Sequence, residues 1–131
     1  MTTLLTLVVA MAIVTWFTLI AASLIRSRAW SLQGIRASIG NRDNLPNPTG
    51  FAGRVDRTAR NTLENFLLFA VLALTAHVSG ASSPWVLLGA QVFVVSRLVF
   101  IVVYCLGIPA VRAGVWLVGV VDLGMMVCGM Y

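Results

Sequence analysis

Within "RTARNTLENF", residues 57–66, Arg57, Asn61 and Glu64 are spaced i, i+4 and i+7, with Arg60 at the edge of the same helical face. A guanidinium, an amide and a carboxylate on one face suit a small zwitterionic ligand that carries carboxylate, amide and ammonium groups. Tyr104 and Arg112 flank the turn "CLGIPAVR". There a helix N-terminus and an arginine supply positive potential. A thiol held in such a place loses its proton more readily, so the chemistry suggested is thiolate activation. Arg97 and Asp122 interrupt otherwise apolar runs. Arg97 can pair with Glu64, with Asp122 or with both, and the pairing serves either helix register or a ligand.

The elements that must position these residues are membrane helices. The chain of 131 residues has room for one domain, is 60% hydrophobic and only 10% charged, and its mean hydropathy is +0.96. All nine basic residues are arginine, against four acids. No soluble basic patch is present to carry nucleic acid, so the basic balance is expected to set membrane topology instead. Cys105 and Cys128 have no metal spacing and read as soft apolar residues.

Residues 1–25 carry no charged side chain. That run is long enough to span a bilayer and lacks the basic start and short apolar core of a signal peptide. Four spans are expected, at about 4–25, 58–78, 85–104 and 113–130, with a polar loop over 26–56 that holds a short helix near Trp30 to Ile39. The second span decides where the polar motif lies. Phe66 to Val78 is too short to cross, so the helix must begin near Arg57. Arg57, Arg60, Asn61 and Glu64 are then on the helix, facing the bundle interior or a wet cavity. Arginines crowd the 26–56 loop and Arg112 follows the third span, which predicts both termini outside and these loops in the cytoplasm of a cell (inner) membrane protein.

The stretch "GRVDRTARNTLENF" resembles the signature R-x-x-R-A-x-x-N-x-x-E of the MAPEG family, the membrane-associated proteins in eicosanoid and glutathione metabolism. Arg54, Arg57, Asn61 and Glu64 match its spacing, and "NRDNLPNPTGFAGR" and "SRLVFIVVYCLGIPAVRAGVW" look like the bacterial branch. The resemblance runs from about Asn41 to Trp116. It implies an all-α four-helix membrane bundle assembled as a homotrimer, with glutathione, or another low-molecular-weight thiol, near the cytoplasmic side between subunits. By resemblance Arg57, Asn61 and Glu64 hold the thiol peptide with Arg60 assisting, Tyr104 contacts it, Arg112 stabilises the thiolate and Arg28 reaches a carboxylate. Thr58, Ala59, Leu67, Phe100 and Ala113 depart from residues common in the family.

Three functions follow. The first is a glutathione-dependent transferase or peroxidase acting on lipophilic small molecules delivered by membrane lipids. The second is a non-catalytic lipid-binding or scaffold protein of the same fold, which Ala59 and Phe100 favour because they remove polar contacts. The third is a small exporter with a membrane-embedded carboxylate, which Arg97 opposes by neutralising Asp122 or Glu64.

Overall fold

The computed structural model describes residues 1–131 as five helices and no strand: α1 Thr3–Ser27, α2 Leu32–Ile39, α3 Gly50–Val78, α4 Pro84–Leu106 and α5 Pro109–Met130. All but α2 are long and apolar enough to cross a membrane. Their outward faces are rich in Leu, Val and Ile, as lipid requires. The chain is an all-helical membrane protein.

Each boundary has a local cause. Thr2 caps α1 and Ser83 caps α4, each side-chain oxygen accepting a backbone N–H of the first turn. Pro84 and Pro109 open α4 and α5, where a missing N–H costs nothing. Gly107 ends α4 in the left-handed region at φ 76°, and its N–H and that of Ile108 return to the last-turn carbonyls. Only Gly107 and Ile108 separate α4 from α5, so these two helices form a tight antiparallel hairpin.

α1 packs on α3, α3 on α4, and α4 on α5, while α2 rests on α1. The Arg26–Asp56 and Arg54–Cys105 contacts bring the end of α1, the start of α3, the end of α4 and the start of α5 to one end of the bundle. Eight of the nine arginines are on α1's last turn, α2, the loops, the start of α3 or the start of α5, and so collect at that end. Arg97 alone lies inside.

The core is thin and built from small and aromatic residues. Phe69 and Phe93 stack with ring centroids 4.4 Å apart, beside Met11, Ala73, Ala76, Ala90 and Met126. Without a hydrophobic drive between helices in lipid, close backbone approach supplies the packing. Gly89 is an example: a Cβ there would sit 2.8 Å from the Asp122 carbonyl oxygen.

α3 starts at Gly50, eight residues before the expected 58. At a rise of about 1.5 Å per residue its 29 residues span about 43 Å, against about 30 Å of hydrocarbon. The surplus is the amino-terminal part that carries Arg54 and Arg57. α4 runs two residues past the expected Tyr104 and α5 begins four before the expected Ala113, so Tyr104 and Arg112 both lie on helix rather than at its edge.

Candidate functional site

The α4–α5 hairpin sets the site. Tyr104 is three residues before Gly107, and Arg112 is three residues after Pro109, so they face each other across the turn. The Arg112 guanidinium carbon lies 5.2 Å from the centre of the Tyr104 ring, a cation–π contact. From α3, Arg57 Nε donates to the Tyr104 hydroxyl at 3.1 Å. Tyr104 is thus held by one arginine at its hydroxyl and by another at its ring.

Arg54 steadies this arrangement from one turn earlier. Its Nε donates to the Cys105 carbonyl at 3.1 Å, satisfying one of the carbonyls left open at the end of α4. Thr58 lies under it, its hydroxyl donating to the Arg54 carbonyl at 2.8 Å and lying 3.8 Å from Cys105 Sγ. The start of α3 is thereby locked to the end of α4.

Asn61 is oriented from below by Arg97. Arg97 is fully buried (0% exposed), and its Nη1 donates to Asn61 Oδ1 at 3.0 Å. Asn65 Nδ2 donates to the same oxygen at 3.3 Å. With its oxygen occupied twice, Asn61 keeps its amide N–H groups for a ligand. Two cavities meet at Tyr104 and Arg112. One, of about 370 Å³, is lined by Asn61, Phe100, Tyr104, Arg112, Ala113 and Trp116. The other, of about 220 Å³, is lined by Arg54, Arg57, Tyr104, Arg112 and the 107–109 turn. The first has an apolar wall and the second a cationic one.

The sequence matches the MAPEG family over residues 3–130. The chain belongs to the MAPEG family. That family includes glutathione-dependent transferases as well as other proteins, and its members generally use glutathione as substrate or cofactor. Comparison with curated proteins and with solved structures returned no match.

Against the residues expected for such a site, Arg57, Asn61, Tyr104 and Arg112 of this MAPEG chain come together. Glu64 shares their helix face but is exposed, makes no ion pair and lines neither cavity. Arg60 departs from expectation. It turns back to Asp56 at 2.8 Å, an i,i+4 pair on a 67% exposed side chain, and reaches no cavity residue. Arg28 is not brought to the cluster within the chain. It closes α1 in a left-handed conformation and lines a separate cavity beside α2. Asp43 lines that same distant cavity.

The expected ion pairs of Arg97 with Glu64 or Asp122 do not form. The only ion pairs within 4.0 Å are Arg26–Asp56 and Arg60–Asp56. Glu64 is exposed, while Asn61 is half-buried and its amide oxygen accepts the Arg97 guanidinium. Arg97 is further held over the rings of Phe93 and Phe100, at 5.6 Å and 4.9 Å. Asp122 instead accepts the Ser96 hydroxyl at 3.2 Å. Arg54 ties α3 to α4, a role that its residue type and spacing do not reveal. Its one signal is its place as the first arginine of the matched motif.

Proposed function

We propose that this MAPEG protein is a membrane-bound glutathione-dependent transferase or peroxidase for lipophilic electrophiles. The observation that carries the reading is the Arg57–Tyr104–Arg112 cluster at the junction of a cationic cavity and an apolar one. Glutathione fits these residues. Its carboxylates match Arg54 and Arg57 and its amides match the free N–H groups of Asn61, while the unpaired Glu64 carboxylate, outside both cavities in the single chain, suits its ammonium group once a neighbouring subunit closes the site.

Glutathione supplies a thiolate nucleophile when bound. Arg112 places a full positive charge, and the amino-terminal turn of α5 a partial one, where that sulfur's charge must be held. Tyr104, fixed by Arg57, directs its ring and hydroxyl at the same spot. The wall of Phe100, Ala113 and Trp116 offers an apolar face from the lipid side, so an electrophile dissolved in the membrane meets the thiolate with little water between them.

The same reading gives a homotrimer as the working unit. Arg57 and Glu64 are exposed in a single chain, although Glu64 lies well along a membrane-length helix. An uncovered carboxylate at that depth is costly, and a neighbouring subunit would cover it. The arginine-rich end is assigned to the cytoplasm of the cell (inner) membrane and both termini to the opposite side. A second reading, a lipid-binding scaffold that binds thiol without turnover, draws on Phe100, which is buried against Arg97 and offers no polar group.

The test is ultraviolet difference spectroscopy of the glutathione-loaded protein across a pH series. A free thiol titrates near pH 8.5, and an adjacent arginine lowers that to about 6 to 7. The thiolate band of the loaded wild type is expected to persist down to that range and then vanish. A titration unchanged from free glutathione removes the thiolate reading.

A further inference from the structure

Away from the thiol site, the end of α1, one face of α2 and the 40–46 segment line a cavity of about 560 Å³. Its charged lining is Arg26, Arg28 and Arg42 against one acid, Asp43. We propose that this cavity binds the phosphate of an anionic phospholipid headgroup, with the acyl chains lying along α1 and the apolar face of α2.

The cavity is built rather than incidental. Gly34 of α2 sits directly on the Ser27 and Arg28 carbonyls, where any Cβ would collide with them, so α2 is docked on the end of α1. Arg28 and Arg42 adopt φ of 52° and 62°, and they are the only non-glycine residues of the chain in the left-handed region. Both line the cavity. Left-handed backbone is disfavoured for arginine, so the fold holds two strained residues at this one place. The guanidiniums also retain bonding capacity. Arg26 Nε is buried without a partner, and its Nη1 lies 3.9 Å from Asp56. Arg42 Nη2 donates to Ser23 at 3.0 Å. The Arg28 side chain makes no hydrogen bond or ion pair within the chain.

The surroundings select a lipid phosphate over a soluble one. The cavity opens at the end of a membrane-length helix. Beside it Leu32, Ile35 and Ile39 form one face of α2, and Leu32 and Ile39 are 80% and 83% exposed, with Trp30 at 72%. A short amphipathic helix with a bare apolar face and a neighbouring tryptophan lies in the headgroup layer of a bilayer. Basic pockets at that level take anionic headgroups.

The experiment uses the full-length protein purified in detergent and stripped of lipid. Thermal stability is followed against short-chain phosphatidylglycerol, phosphatidylcholine of equal chain length, and inorganic phosphate. Phosphatidylglycerol is expected to stabilise at lower concentration than phosphatidylcholine. Arg28→Gln and Arg42→Gln should each weaken that preference about fivefold, while Arg36→Gln, on α2 but outside the cavity, should keep it. Equal stabilisation by both lipids overturns the proposal, as does inorganic phosphate reproducing the whole effect or Arg28→Gln retaining the preference. If Arg42→Gln does not fold because its Ser23 bond is lost, Arg28→Gln carries the test. Native mass spectrometry of the unaltered protein gives a second readout, with selective retention of phosphatidylglycerol expected and equal retention of both lipids counting against the site. None of these outcomes depends on glutathione binding.

Discussion

At the scale of single residues, the candidate site rests on charge placed next to one phenol. Replacing Arg112 by Ala removes the full charge beside the proposed thiolate. Loss of one preorganised electrostatic donor costs about 10²–10³ in turnover, so conjugation of a lipophilic electrophile should fall by that order. The bound-thiol titration should at the same time return toward pH 8.5, because the thiolate is no longer favoured below that value. Tyr104→Phe is milder. It deletes the acceptor of the Arg57 hydrogen bond at 3.1 Å and keeps the ring under Arg112. A hydrogen bond of this kind contributes about 0.5–1.5 kcal/mol to folding, so stability should fall by no more than that, and glutathione affinity measured by calorimetry should fall severalfold because Arg57 is no longer fixed to the phenol. The residue types of this site were legible in the sequence because Arg57 and Asn61 share a helical face and because "CLGIPAVR" is a turn. The partners of Arg60 and Arg97 were not. Whether a guanidinium reaches a carboxylate or an amide depends on where along α3 the α4 helix crosses, and charge type alone favoured Glu64 where geometry favoured Asn61.

At the scale of elements, α3, α4 and α5 are held in register by one buried arginine in a space made by one glycine. Gly119 on α5 lies against the Arg97 guanidinium, with no room for a Cβ. Gly119→Ala must displace Arg97 or α5, and overpacking of this kind costs about 1–3 kcal/mol. The thermal midpoint should drop accordingly. In an Arg97→Met background the same substitution should cost less, because the atoms it strikes are gone, and a double-mutant cycle reads this as non-additivity. Strictly additive losses would place the guanidinium elsewhere. The four long helices and the turns between them were legible because apolar runs, Gly107, Pro84 and Pro109 mark them. The start of α3 was not. Residues 50–56 contain two glycines, an arginine and an aspartate, which read as loop, yet they are helical. Tertiary contacts decide there: Gly53 fits against the Pro48 carbonyl, where a Cβ would be 2.7 Å away, and Arg54 is tied to the end of α4. The second contact crosses some 50 residues and has no local signature.

At the scale of the whole molecule, charge and apolar surface are segregated along the bundle axis. Eight arginines gather at one end, and the rest of the exterior, Glu64 apart, is largely apolar. A lone chain leaves Glu64 uncovered, which calls for an oligomer, and the family resemblance sets its order at three; light scattering of the protein–detergent complex should then give a protein mass of three chains, and a stable single chain would count against the assembled site. The most direct test of the central claim is a glutathione titration followed by thermal stability, with Asn61→Ala and Arg112→Ala in parallel. A ligand that binds only the folded protein stabilises it by about 2.7 kcal/mol at a hundredfold excess over its Kd. Stabilisation by glutathione that both substitutions weaken is the predicted result. A wild-type protein whose stability does not respond to saturating glutathione would contradict the account.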